Sequence, residues 1–341
     1  MIPDLVILAQ ESTVVPSEFG RMVVNGFSLG AIYAVLALGF VIIFKATQVL
    51  NFAHGALSAM GAFLIAYFAT LINVPGRWME GSPEWLQWAL SVVFALVLAA
   101  LIGMALERMF LRPMIGEALF AVAIVTLGID IIVRTITNDF IGLTSRPMGD
   151  PFGLKTVGLG CVNGGFIGEA DLAELCTVRV PWTTVFQMFL TIVLVGGVAM
   201  FFRSRTGIAM RATAWDQEVA RAQGINVGRI FATAWAIGAV MAAIGGLFIS
   251  MFPRRPGGVD TFTAFFAFRA FPAIILGGLD SILGSIVGGF AIGFAESAAS
   301  SYLTFQWLGT GFGGVVPYIV MLLVLLIRPY GLFGTEQIRR V

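Results

Sequence analysis

Asn51-Phe52-Ala53-His54-Gly55 holds the single histidine of the chain and stands where two apolar runs meet, Met22 to Phe44 and Phe52 to Asn73, both free of Asp, Glu, Lys and Arg. As a helix, the first run reaches roughly 34 Å at about 1.5 Å per residue, enough to cross a hydrocarbon core. A polar, glycine-punctuated elbow between two such runs is costly unless it lines a cavity or is buried in protein. Function is therefore expected to start there. The composition agrees with a membrane location: 58% of the 341 residues are hydrophobic and 11% charged, with a mean hydropathy of +0.94. These values lie far from the soluble balance and describe an integral membrane protein surrounded by lipid.

The formal net charge of +1 gives no basis for nucleic-acid binding, and the 41 glycines are spread through the apolar runs, as where helices pack closely. Residues 1–21 carry Asp4, Glu11 and Glu18 and no basic stretch ahead of an apolar run. They read as an extramembranous N-terminal tail and not as a cleaved signal peptide. Apolar runs place candidate spans at 22–44, 52–73, 85–106, 118–137, 182–202, 231–251, 270–296 and 314–328. The expected fold class is all-α: a polytopic membrane protein of about eight transmembrane helices plus a re-entrant or broken helix. Its permease-like body covers 22–334, followed by a C-terminal tail at 335–341. Trp85, Trp88 and Trp182 fall at span ends, where an indole favours the headgroup layer. Asp130 and Arg134, four apart, share a helix face and are expected to neutralise one another, as a structural ion pair or a functional one.

Of the 20 basic residues only Lys45 and Lys155 are lysine. The links holding Arg108 and Arg112, and Arg203, Arg205, Arg211, Arg221 and Arg229, are expected to be cytoplasmic by the positive-inside rule. That puts the amino terminus outside and makes 138–181 an external loop, where Cys161 and Cys176 are candidates for a disulfide. Such a bridge contributes about 3 kcal/mol in the chain-entropy model. Simple alternation then leaves Arg328, Arg339 and Arg340 on the wrong side, so the region 252–313 must be irregular. Arg269 and Pro272 interrupt its apolar stretch and Gly277-Gly278 breaks it. A short or re-entrant helix followed by a second helix adds a crossing and returns the terminus to the cytoplasm. Asp280 stands either to cap the helix beginning at Ser281 or to meet an ammonium group.

The charged interlude 203–230 is expected to be a cytoplasmic loop carrying a short helix over Ala212–Ala222. Asp216 sits near its start, Gly224 is placed as a left-handed cap, and Asn226 begins the next element. A lone His54 without a Gly-x-Ser-x-Gly or His-Glu-x-x-His motif offers little to an intramembrane enzyme, and the chain holds no P-loop. No metal site is expected.

Four stretches together resemble permeases of the high-affinity branched-chain amino-acid ABC importer family. The first is Gly26-Phe-Ser-Leu-Gly-Ala-Ile-Tyr-Ala-Val-Leu-Ala-Leu-Gly39, leading through Val49-Leu-Asn-Phe-Ala-His-Gly55 to Gly61. The second is 207–229, where Glu218-Val-Ala220 and Gly224 are similar to the EAA-and-glycine coupling loop. The third is Gly277-Gly278-Leu-Asp-Ser-Ile-Leu-Gly284 with Gly288, Gly289 and Glu296, and the fourth is Arg328-Pro-Tyr-Gly-Leu-Phe-Gly334. The resemblance implies a transport subunit without its own ATPase site or bound cofactor in a bacterial inner membrane. Its partners are a second homologous permease or a copy of itself, two ATP-binding subunits that hydrolyse ATP, and an external solute-binding protein. It assigns ATPase coupling to Arg211, Glu218, Ala220, Gly224 and Asn226. It assigns the substrate path to Asn51, His54, Gly55, Gly61, Gly277, Gly278, Asp280 and Ser281.

Ala56 stands where many relatives carry an acidic residue, and the Ile-x-Leu-Pro ending of the general coupling motif is absent. Branched-chain or other apolar amino acids are the expected substrates, with urea or short amides as the alternative. A stand-alone channel or secondary transporter would also show broken helices, but it has no reason to carry an EAA-like helix.

Overall fold

A computed structural model describes residues 17–79, 81–142, 144–161, 165–170, 176–251, 253, 257–303 and 312–334. Its first helix, α1 (Glu18–Thr47), is capped by Ser17, whose hydroxyl accepts the Gly20 N–H. From Ser28 to Ile43 every residue of α1 is buried, so the helix lies inside the protein and not at its surface. The other long helices are α2 (His54–Ala66, helical on to Leu71), α3 (Glu84–Leu106, helical on to Met114), α4 (Leu119–Ile141), α5 (Trp182–Arg203), α8 (Val227–Ser250) and α11 (Ile282–Tyr302), of which α5, α8 and α11 pack on α1. Between α5 and α8 lie the short helices α6 (Arg205–Trp215) and α7 (Gln217–Ala222). Two shorter apolar segments complete the bundle: α9 (Thr263–Ala267) with α10 (Phe271–Gly277), and α12 (Val316–Ile327).

Among the described residues seven helices are long and apolar enough to cross a membrane. The expected span 270–296 is two elements, α10 and α11, separated at 278–281, and the expected span 314–328 is the shorter α12. The α9–α10 segment runs across the bundle. It is preceded by Val259, paired with Arg146 beyond the end of α4, and it ends at Gly277, where Phe333 N–H donates to the Gly277 carbonyl at 3.1 Å. The expected irregularity of 252–313 is thus an extra crossing by a broken helix. It returns the C-terminal segment to the end of the bundle that carries Arg203–Arg229.

The 138–181 loop holds strands that an all-helical reading does not foresee. β1 (Thr156–Cys161), β2 (Gly165–Ala170) and β3 (Cys176–Pro181) form an antiparallel sheet of order β2-β1-β3. Ser17 N–H donates to the Thr177 carbonyl at 2.8 Å, tying the start of α1 to this sheet. The register sets Cys161 opposite Cys176. Their side chains, and with them the expected bridge, lie outside the described residues. Trp88 departs from its expected headgroup position: it is buried, donates its indole N–H to the Met148 carbonyl at 3.0 Å, and packs edge-on to Phe152 and Phe186. The loop that follows α4 folds over it, whereas Trp85 stays exposed.

Lipid tails are as apolar as leucine, so helices in a membrane associate through close packing and hydrogen bonds. On α11, Gly293 lies against the backbone of Gly30 and Gly289 against that of Ala34, and any Cβ there would overlap α1. Polar groups on α1 are met from neighbouring helices. Ser28 Oγ donates to Gln187 Oε1 at 2.8 Å, and Gln187 Nε2 donates to the Phe248 carbonyl at 3.1 Å. An unpaired buried amide would cost about 1–3 kcal/mol.

Gly293→Val is expected to destabilise the protein by about 3 kcal/mol, because the added methyls meet α1 backbone. Gly128→Ala on α4, where a Cβ meets nothing within 4 Å, is expected to stabilise it by up to about 1 kcal/mol. Thermal denaturation of the two variants in one detergent checks both signs.

Candidate functional site

The elbow is built by the way α1 stops. Gln48 adopts a left-handed φ of 57° and returns its N–H to the Phe44 carbonyl at 2.7 Å, closing the helix. The next backbone groups would be orphaned in the bundle, and a threonine from α4 meets them. Thr126 Oγ1 accepts the Phe52 N–H at 3.1 Å, and its hydroxyl reaches the Leu50 carbonyl at 3.2 Å and the Ala123 carbonyl at 2.7 Å. Asn51 Oδ1 accepts the Ala53 N–H at 3.1 Å, setting up the first turn of α2. His54 opens that helix, buried, with its ring against Gly39 and edge-on to Phe40 at 6.1 Å.

Gly55 faces the Ala264 carbonyl and the Phe268 ring, so the elbow abuts the broken α9–α10 segment. Gly61 faces Ala243 and is a contact point between α2 and α8. Phe271 of α10 bridges the two motifs by stacking on Phe52 at 6.1 Å and meeting Phe40 edge-on at 5.1 Å.

At the far end of α10, Gly278 takes a φ of 103°, a conformation that only glycine adopts readily. Its α-carbon lies against Gly334, and Leu332 N–H donates to the Leu276 carbonyl at 2.8 Å. The glycine break and the Arg328–Gly334 motif are therefore one structural unit. The cap of α11 is Ser281, whose hydroxyl accepts the Gly284 N–H at 2.9 Å, and not Asp280. The Asp280 carbonyl instead accepts a hydrogen bond from Lys45 Nζ at 2.8 Å, where both the Asp280 carboxylate and Arg211 act on the ammonium. Lys45 thus joins the end of α1 to the glycine break, while Arg211 lies close enough to repel its ammonium.

The interlude is two helices where a single Ala212–Ala222 helix is expected. Asp216 breaks the run, and its carboxylate accepts the N–H groups of Glu218 and Val219 at 2.8 and 2.9 Å to start α7. A side chain that offers the backbone this alternative interrupts a helix more readily than it continues one. Gly224 has the expected positive φ, at 81°, and Asn226 caps α8 by accepting the Arg229 N–H at 3.0 Å. Arg211, Glu218 and Gly224 are exposed, whereas Ala220 is buried where α7 rests on the bundle. Trp215 is 93% exposed beside an exposed Val219. Sequence reading passes over Trp215, because tryptophan at the end of an amphipathic stretch is ordinarily core.

Two further polar connections escape the sequence because they join residues far apart in the chain. Tyr33 donates to Glu296 Oε2 at 2.5 Å while Arg269 Nη1 donates to Glu296 Oε1 at 3.3 Å. Arg112 is bonded to Glu107 and donates Nη2 to the Gly228 carbonyl at 3.1 Å, clasping the first turn of α8.

The family described as branched-chain amino acid transport system / permease component matches residues 22–325 of the chain. The high-affinity branched-chain amino acid transport system permease protein LivH of Escherichia coli strain K12 is 31% identical over 330 residues, 95% of this chain and 98% of that protein. The permease protein BraD of Pseudomonas aeruginosa is 27% identical over 324 residues, 94% of this chain and 97% of that one. A Methanocaldococcus jannaschii protein named probable branched-chain amino acid transport permease LivH is 26% identical, covering 93% of each.

Thr126→Val keeps the shape of the side chain but removes the acceptor for the Phe52 N–H. It is expected to cost about 1–3 kcal/mol, read as a lowered midpoint of thermal unfolding in detergent, with no change in membrane insertion.

Proposed function

Because the chain belongs to the branched-chain amino acid transport system permease family, we propose that this multi-pass membrane protein is the translocating subunit of an ATP-driven importer for branched-chain or other apolar amino acids. In this reading it lies in a bacterial inner membrane and pairs with a second permease or a copy of itself. Two cytoplasmic ATP-binding subunits and an external solute-binding protein complete the assembly. The chain performs no chemistry of its own: it binds no cofactor, and the partners hydrolyse ATP.

The observation that carries this reading is the α6–α7 pair. It projects from the arginine-rich end of the bundle, with Trp215, Val219 and Glu218 turned to solvent and Ala220 turned inward. An exposed tryptophan beside a capped, charged helix is the anchor expected of a contact with another protein. An ATPase shifts the permease only through contacts that differ between its states. From α7 the load passes through the Asn226 cap into α8, whose first turn Arg112 clasps. Since α8 packs on α1, α2 and α3, a rigid displacement of α7 reaches the core by way of a single helix.

On the external side, the cross-strand register of Cys161 and Cys176 supports a disulfide across the paired strands β1 and β3, a rigid platform for the solute-binding protein. Antiparallel residues directly opposite one another fall within disulfide reach.

Purification of the tagged chain in mild detergent, with mass spectrometry of what accompanies it, tests the assembly. Recovery of a P-loop ATPase and a related permease is expected. Recovery of the chain alone, where a control ABC complex survives, overturns the reading. Glu218→Arg, Trp215→Ala and Gly224→Pro are each expected to reduce uptake and ATPase recovery by about tenfold, roughly 1.4 kcal/mol of contact energy, while insertion stays normal. For the bridge, maleimide labelling of Cys161 and Cys176 is expected only after reduction.

A further inference from the structure

Three ion pairs among the described residues lie within membrane-spanning helices or the broken segment: Arg112–Glu107, Arg269–Glu296 and Arg134–Asp130. Ionisable groups at such depth are expensive and are kept for packing or for function. Hydrogen-bond bookkeeping separates the three. Both oxygens of Glu107 accept from Arg112, and Glu296 gives one oxygen to Tyr33 and the other to Arg269. These carboxylates are complete. Asp130 is different: Oδ2 meets Arg134, while Oδ1 is buried with no hydrogen-bond partner among the described residues. A buried acceptor left open is costly, and more so when it is charged.

The place of this pair matters as much as its open acceptor. Asp130 lies midway along α4, one turn beyond the Thr126 that holds the elbow. Arg134 sits one turn further, 21% exposed, with its guanidinium 4.7 Å from the centroid of the Phe265 ring of α9. The elbow, α4 and the broken segment therefore converge on one seam. Along its open side Leu127, Ile131 and Phe265 are exposed apolar side chains.

We infer that Asp130 and Arg134 are substrate-contacting residues that read the two charges of a zwitterionic amino acid, Asp130 Oδ1 accepting from its ammonium and Arg134 donating to its carboxylate. The inference rests on the importer reading and names the groups that would enforce it. When the seam is empty, the two side chains neutralise one another, so no isolated charge stands in the membrane. When an amino acid enters, one ion pair becomes two and the net charge is again zero. A carboxylate or an amine alone would leave one protein charge unmatched, and such a site rejects it through the cost of desolvating that charge. Leu127, Ile131 and Phe265 take the apolar side chain, which favours leucine-like substrates over polar ones.

The test uses the assembled transporter in proteoliposomes with leucine and with 4-methylpentanoate, the same skeleton without the ammonium. Asp130→Asn, Arg134→Gln and the double variant are expected to keep ATPase recovery and to lose leucine uptake by about tenfold or more. A merely structural pair is relieved by removing both charges together, so leucine uptake by the double variant within twofold of the native complex overturns the inference. Arg134→Lys keeps the ion pair but not the planar fork. It is expected to raise KM for leucine several-fold with assembly unchanged, and an unaltered KM there also overturns the inference. Transport of 4-methylpentanoate as fast as leucine by the native complex does the same. Failure of the native complex to move any apolar amino acid overturns the importer reading itself, a separate result.

Discussion

The packing of α1 against α11, backbone on backbone at Gly30 with Gly293 and Ala34 with Gly289, is the contact on which the other parts depend. Hydrophobic burial cannot drive two apolar helices together in lipid, so short-range dispersion and shared hydrogen bonds do the work, and both need the axes close. Once α1 is enclosed from Ser28 to Ile43, its polar side chains must be met by its neighbours. Gln187 and Glu296 meet Ser28 and Tyr33 from opposite sides. The enclosed helix then dictates where the chain turns, and the elbow falls beside α4, with Thr126 in position to satisfy it.

That placement converts separate sequence motifs into two connected regions. The elbow adjoins the broken segment through Gly55, Ala264 and Phe268, with α4 as the third wall. The glycine break, the C-terminal turn and the end of α1 form the other region, joined by Lys45 through the Asp280 carbonyl, and α6 of the arginine-bearing interlude packs on α1. In the proposed importer these are the path and the coupling end. Movement of α7 reaches the path through α8, because α8 is capped at the coupling end and packs along α1 and α2 to the other side.

Much of this was legible in the chain. Membrane class followed from composition, the irregularity near Gly277-Gly278 from the conflict between apolar runs and arginine placement, and the Gly224 cap from the need for positive φ after a short helix. Sequence reading went astray where a local pattern had a second use. Asp216 looked like a residue near the start of one helix and in fact splits two, since its carboxylate captures two N–H groups. Trp88 looked interfacial, but a loop from beyond α4 folds over it. The sheet within 138–181 went unseen because β1 and β2 are rich in glycine and β3 alternates apolar and polar side chains over only a few residues.

The sequence by itself determined that this protein lives in a membrane, roughly where it crosses and which family it resembles, because hydropathy and short motifs are local properties of the chain. Only the tertiary structure decided which carboxylates are complete and which is open. Glu296 is satisfied by Tyr33, 263 positions away, whereas Asp130 keeps a buried oxygen without a partner among the described residues. The spacing of Asp130 and Arg134 showed that they share a helix face, but the exposure beside them and the ring of Phe265 are set by how α4 packs against a segment far along the chain. Hydrogen-bond satisfaction and access depend on distances between remote residues, which no local pattern encodes.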